Sequence, residues 1–193
     1  MDPSADLYPL VERLTNLLRS GLRGEGAARE LEPVHLQALD YLARANDYSN
    51  TPIGVAEYLG LTKGNVSQRL LGLERDGFLR RRPDARDGRI SHLVPTAKAR
   101  ALLLRAVPPP HWRQAIDALP AARREVLAQG LRELLSALQE AHGGRTFGVC
   151  RSCRFFTRRE GRNLCGMTGD FLLDEQTERI CREHEPAAAE EAG

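Results

Sequence analysis

Residues 51–95 read TPIGVAEYLGLTKGNVSQRLLGLERDGFLRRRPDARDGRISHLVP. Two short helical patterns meet at Gly60-Leu61-Thr62. The first carries Ile53, Val55, Ala56 and Leu59 as its apolar set. The second carries Val66, Leu70 and Leu73, spaced i, i+4, i+7 on one helical stripe. Thr62 is placed to cap the second helix, since its hydroxyl can take one of the N–H groups that a first turn leaves unpaired. Gly77 is placed to end it in the left-handed conformation. Beyond it, 78–82 and 90–94 are read as two strands joined by the charged tip Pro83-Asp84-Ala85-Arg86-Asp87-Gly88-Arg89.

Helix, tight turn, helix and hairpin in that order make a winged helix-turn-helix, so the fold class read from the sequence is mainly α with a small β-hairpin wing (α+β). Its charge is local. Residues 63–100 hold ten Lys/Arg against Glu74, Asp76, Asp84 and Asp87, a balance of +6, while the whole chain is only +2. A basic patch on a near-neutral chain gains free energy by displacing counterions from phosphates. Joined to the helical pattern, it points to double-stranded DNA.

The 193 residues allow one domain with an appendage. An apolar share of 41% with 28% charged residues is ordinary for a soluble chain. Residues 1–6 lack the basic and apolar regions of a secretory leader, and no apolar run reaches the ~20 residues that span a bilayer. The expectation is therefore a cytoplasmic protein without a membrane partner. In that compartment clustered cysteines favour metal or redox chemistry over structural disulfides.

Outside the central stretch, residues 7–22 repeat leucine near the helical period (Leu7, Leu10, Val11, Leu14, Leu17, Leu18, Leu22), and 21–26 read as a loop. Pro33 opens a second helix with Val34, Leu36, Leu39, Leu42 and Ala43 facing a core. Residues 46–50 form a polar loop. After the wing, Thr96 caps a helix over 97–106, which Pro108-Pro109-Pro110 interrupts. Another helix begins near Trp112. A long one after Pro120 carries Val126, Leu127, Leu131, Leu134, Leu135 and Leu138. Two leucine-faced helices flanking a DNA-reading module point to a homodimer, whose two-fold axis would match a palindromic operator.

At Val66-Ser67-Gln68-Arg69-Leu70-Leu71-Gly72-Leu73-Glu74-Arg75-Asp76-Gly77-Phe78-Leu79, Asp84-Ala85-Arg86-Asp87-Gly88-Arg89 and Leu93-Val94-Pro95-Thr96 the chain resembles the MarR family of bacterial transcriptional regulators. The resemblance spans roughly residues 7–142 and is densest in the central stretch. It implies an obligate dimer, a recognition helix in the major groove and wing tips at the minor groove. It also implies that Asp87 orients the wing while Arg89 reaches DNA, and that a small aromatic effector binds the dimer cleft. Ala99, where the family usually has glycine, and the proline triplet depart from its pattern.

The candidate DNA-binding residues are Lys63, Asn65, Ser67, Gln68 and Arg69 on the second helix, with Arg86 and Arg89 on the wing. Asn and Gln can pair bidentately with adenine and Arg with guanine. Lys63, Ser67 and Arg69 also suit phosphates, and the wing arginines suit a narrow minor groove.

All four cysteines lie in the last quarter: Cys150-x2-Cys153-x11-Cys165-x15-Cys181. A segment this short folds with help from a metal, disulfides or a partner. Four thiolates can hold Zn²⁺ or an iron–sulfur cluster. One close pair followed by two separated cysteines resembles the ligand pattern of high-potential iron–sulfur proteins, so a [4Fe–4S] cluster is the first reading, zinc the alternative and a redox thiol pair the third. His184 is read as an exposed polar residue. The domains are then 1–145, a winged helix with dimerisation arms; 146–185, a four-cysteine module; and 186–193, a disordered tail.

The resulting reading is a dimeric repressor whose cluster senses redox state or iron. The alternative is a repressor with structural zinc, released by a small aromatic ligand. No cofactor loop, paired-carboxylate motif or nucleophile–base arrangement points to an enzyme, and the five histidines are scattered.

Overall fold

A computed structural model describes residues 3–27, 31–85 and 87–187. Its helices run α1 (Pro3–Ala27), α2 (Pro33–Arg44), α3 (Pro52–Leu59), α4 (Lys63–Arg75), α5 (Ala97–Ala106), α6 (Pro110–Asp117), α7 (Ala121–Ala141) and α8 (Asp174–Thr177). The strands β1 (Leu79–Pro83) and β2 (Ser91–Pro95) pair antiparallel as the wing, and β3 (Phe156–Arg159), β4 (Arg162–Cys165) and β5 (Phe171–Leu172) form a second small sheet. None of the described helices is long and apolar enough to cross a membrane.

The core lies between α2, α3, α4, α5 and the wing. Leu36, Leu39 and Tyr41 from α2, Val55 from α3, Leu70 and Leu73 from α4 and Leu93 from β2 are all essentially inaccessible to solvent. The helical ones other than Tyr41 are apolar positions read from the periodicity, whereas Ile53, expected to face inward on α3, is exposed.

The helix ends follow from their residues. Thr62 Oγ1 accepts from Asn65 N at 3.4 Å, and Thr96 Oγ1 accepts from Ala99 N at 3.3 Å. Gly77 has φ +73°, its N–H reaches Glu74 O, and Phe78 N–H reaches back to Leu73 O. This double bond closes α4 in a Schellman motif. Because Phe78 is engaged there, the hairpin begins one residue later than the alternation suggests, pairing Leu79 with Pro95 and Pro83 with Ser91.

Two expectations are corrected. The stretch 21–26, read as a loop because of its glycines, continues α1 to Ala27. Gly21 instead permits a close approach: a Cβ there would lie 1.8 Å from the His111 ring of α6. Pro186 and Ala187, assigned to a loose tail, belong to the cysteine module, where Pro186 bridges to Cys153 and Ala187 N–H bonds Ser152 O at 3.2 Å. The remainder of the tail, 188–193, lies outside the described residues.

Gly54 sits where α3 crosses the preceding loop. A Cβ would stand 2.2 Å from the Ser49 carbonyl oxygen and 2.7 Å from the Tyr41 hydroxyl. Backbone and a buried side chain cannot both retreat, so Gly54→Ala is expected to cost about 1–3 kcal/mol, as overpacking does, read as a lower urea midpoint.

At the start of α2, the Glu32 N–H donates to His35 Nδ1 at 3.1 Å, so the cap needs a neutral imidazole. Burial, and then the nearby Arg69 charge, hold the His35 pKa below its ordinary value. The unfolded chain therefore binds this proton more readily than the folded one. Stability from this group is present above the unfolded pKa near ~6.5 and declines as pH falls through it. The thermal midpoint should drop on acidification from neutrality to mildly acidic pH, and should drop less in His35→Gln, whose amide oxygen keeps an acceptor without titrating.

Candidate nucleic-acid interface and cysteine centre

The outward face of α4 is what the apolar stripe leaves over. With Val66, Leu70 and Leu73 buried, Lys63, Asn65, Ser67 and Gln68 are exposed. Arg69 is different. It is partly buried and its guanidinium meets Glu32 Oε2 at 2.6 Å, an ion pair across α4 and the start of α2. That contact pulls Glu32 below the ordinary carboxylate range. As arranged, Arg69 fixes how α4 sits on α2.

The wing tip is shaped by its acids. Asp84 Oδ1 accepts from Asp87 N at 2.8 Å, and Ile90 N–H bonds Asp87 O at 2.9 Å. Asp87 in turn accepts from Arg89 Nε and Nη2, both at 3.0 Å, while the Arg89 side chain stays almost wholly exposed. The Arg89 hydrogen bonds lower the Asp87 pKa. Asp87 thus aims a fully solvated guanidinium outward. Arg86 lies outside the described residues.

Several other cations of the basic window are engaged. Arg81 meets Glu74 at 3.0 Å, Arg82 meets Asp47 at 3.7 Å, and Lys98 donates to Asp76 O at 2.8 Å while lying over the Phe78 ring. Exposed pairs of this kind are worth little, so phosphates can compete for the same guanidinium groups.

The leucine-faced arms find few partners within the chain. α7 buries none of its residues: Val126, Leu127, Leu131, Leu135 and Leu138 are all exposed. Leu7, Leu10, Leu14 and Leu17 of α1 are exposed as well.

The cysteine segment is not a loose appendage. Ile180 belongs to the main core and exchanges backbone hydrogen bonds with the end of α2: its N–H bonds Arg44 O at 2.9 Å and its carbonyl accepts from Asn46 N at 2.9 Å. Arg182 pairs with both oxygens of Glu57 on α3, at 2.6 and 2.8 Å. Phe147 packs edge-on against Tyr41 and Tyr58, and Tyr48 OH donates to Asp170.

Within the segment, the four cysteines predicted as ligands are brought to one place. Cys150, on a 3-10 turn (Cys150–Ser152), Cys153 after it, Cys165 at the end of β4 and Cys181 after Ile180 line a common cavity of about 30 Å³. Phe155, Phe156, Met167, Leu172 and Glu183 complete its wall. All four thiols are free. They are not drawn together around a point: among the described residues no three His, Cys, Asp or Glu side chains are grouped tightly enough to hold a metal ion as they stand.

The cavity is polarised from outside. The proximity of Cys150 and Cys181 favours the thiolate at Cys181, lowered to about 6, and holds the proton on Cys150. Asn46 Nδ2 lies 3.5 Å from Cys150 Sγ; it adds to the lowering at Cys181 and opposes, without reversing, the rise at Cys150. No motif or spacing marks this donor, because Asn46 lies 104 residues away.

His184, expected at the surface, is buried. Its ring nitrogens lie 2.6 Å from Thr146 Oγ1 and 3.0 Å from Ser152 Oγ. With both nitrogens occupied it acts as a clasp for the segment. Gly148 makes room for it, since a Cβ there would fall 2.4 Å from the imidazole.

The model of the MarR family matches residues 30–90. Comparison with curated protein sequences gives no match. Among solved structures, FabT of Streptococcus pneumoniae in complex with DNA is 24% identical over 72% of this chain and 99% of its own, with a TM-score of 0.57. The Staphylococcus aureus MepR–DNA complex is 20% identical over 67% of this chain and 96% of its own, at 0.56. A MarR transcriptional regulator from Methanosarcina mazei Go1 is 14% identical over 71% and 99%, at 0.60. The chain therefore has the winged-helix fold of the MarR regulators, with the family's sequence pattern in residues 30–90.

Proposed function

We propose that the protein is a dimeric, sequence-specific DNA-binding transcriptional regulator, acting as a repressor, whose four cysteines hold a [4Fe–4S] cluster that reports redox state or iron supply. The observation that carries the DNA reading is the outward face of α4. Asn65 and Gln68 are exposed together with Lys63 and Ser67 on a capped helix seated on the core, and the Arg89 of the hairpin is held outward by Asp87. Such a face can enter a major groove while the tip follows the backbone into the minor groove. The two structures with bound DNA share this fold.

The dimer reading rests on α7. A 21-residue helix with a leucine stripe and nothing buried leaves apolar area that a second copy would cover.

The cluster reading rests on the donor set: four thiols on one apolar-walled cavity, with an amide N–H directed at the sulfur. A cluster bound there would supply a one-electron couple and a site sensitive to oxidant. Zinc is the second reading, favoured by the small volume of the cavity, and would make the site structural. On that second reading a small aromatic ligand in the dimer cleft would be the effector.

An operator selected from random duplexes by the full-length dimer gives the first test. Gln68→Ala is expected to lose about 1–3 kcal/mol of preference for that sequence. Arg89→Ala should weaken all duplexes alike and reduce the salt slope by about one. Unchanged preference and slope in both variants would refute the reading.

On α7, Leu131→Glu with Leu135→Glu should give a folded monomer in sedimentation. For the metal, protein purified without oxygen should carry iron and sulfide in equal amounts with visible iron–thiolate absorbance, lost on replacing Cys165 by Ala. Zinc alone, with DNA binding indifferent to oxidant, would select the second reading.

A further inference from the structure

The cavity of thiols and the wing are joined by a single buried loop. Asn46 Oδ1 accepts from Ser49 Oγ at 2.6 Å and from Tyr48 N at 3.1 Å, which fixes the amide so that its NH₂ faces Cys150 Sγ at 3.5 Å. Ser49 Oγ also accepts from the Arg182 N–H at 2.7 Å, the residue next to Cys181. One turn of chain later, Asn50 N–H bonds Asn46 O, and the Asn50 carbonyl accepts from Leu93 N of β2 at 2.7 Å. Asn50 Oδ1 lies 2.6 Å from His92 Nδ1, and His92 Nε2 lies 2.8 Å from Asp84 Oδ2. Asp84 is the residue whose other oxygen holds the Asp87 N–H at the tip.

We propose that Asn46 is a positioning residue that reads the state of the cysteine cavity and passes it to the wing through Ser49, Asn50, His92 and Asp84. This rests on the reading of that cavity as the site of a sulfur-bound metal centre. The physics is a competition for one amide. Thiolates bonded to a metal centre accept N–H···S hydrogen bonds, and such bonds are among the protein's means of tuning the centre. A protonated thiol is a weak acceptor by comparison. Loading the cavity therefore tightens Asn46 onto Cys150, and emptying it frees the amide to reorient. Asn50 is bonded to Asn46 on one side and to Leu93 and His92 on the other, so the change has a direct path to β2 and the tip. A cavity of about 240 Å³ on the β2 side, bordered by Asn46, Asp47, Asn50, Arg82 and Arg179, gives the loop room for a second arrangement. The signal thus reaches DNA within one protomer, in addition to any change in the spacing of two protomers.

The test follows backbone amide hydrogen exchange at Asp87 and Leu93 in the full-length protein, as isolated without oxygen and after stripping with chelator. Wild type should change by about fivefold at these amides on stripping, the effect of a single hydrogen bond. Asn46→Asp keeps both acceptor bonds to Tyr48 and Ser49 but has no N–H for the sulfur, and should abolish the difference. His92→Phe cuts the far end, and should abolish it while iron or zinc content stays at the wild-type level. A wing that responds in both variants as in wild type, or a wild-type wing indifferent to stripping, overturns the proposal. If the isolated protein carries neither iron nor zinc, the metal reading fails by itself. The link is then tested with Cys150→Ser, which must still alter exchange at Leu93 and Asp87 if Asn46 transmits, and must not if it does not.

Discussion

Residues 46–50 are polar and largely buried, and a buried polar backbone has to find a partner for every donor and acceptor. That requirement organises the molecule. Tyr41, inaccessible in the middle of α2, spends its hydroxyl on the Ser49 carbonyl at 2.9 Å. β2 supplies the Leu93 N–H, the cysteine segment supplies the carbonyl of Ile180 and the N–H of Arg182, and Gly54 lets α3 pass within contact of the same carbonyl. Remove the Leu93 N–H or the Ile180 carbonyl and a carbonyl or an amide is left unpaired in the interior, at a cost of the order of 1–3 kcal/mol. The helices α2 and α3, the wing and the thiol cavity are therefore built on one shared segment of backbone.

This arrangement explains why the last quarter of the chain has structure of its own. Its one three-stranded sheet and short helical turns could not bury enough apolar surface to stand alone. It borrows a core, setting Ile180 and Phe147 against α2 and α3, and adds an ion pair from Arg182 to both oxygens of Glu57. The same burial pushes the His184 imidazole toward its neutral form and leaves it to bridge Thr146 and Ser152.

The winged helix was legible because its signals are local. The i, i+4, i+7 stripe of Val66, Leu70 and Leu73, the cap at Thr62 and the stop at Gly77 each act within a few residues, and all appear as read. The convergence of the cysteines was legible from clustering alone. What the sequence hid are relations over long separations. Asn46 reaches Cys150 across 104 residues and Arg182 reaches Glu57 across 125, and neither has a periodic or motif signature. The glycines of 21–26 misled for a related reason. Gly is permissive in sequence, but Gly21 is there for the His111 ring packed against α1, a tertiary demand that outweighs helix propensity. His184 was misjudged likewise, since only the fold shows that Thr146 and Ser152 meet it.

In the function we propose, two copies of α4 and its hairpin are held at groove spacing by the leucine-faced arms. A hydroxyl-radical footprint of the full-length protein on its selected duplex tests this most directly. Two protected half-sites related by a two-fold axis, one helical turn or about 10 base pairs apart, with minor-groove protection at the outer edges where the wings lie, is the predicted pattern. A single protected half-site, or even protection independent of sequence, would contradict it.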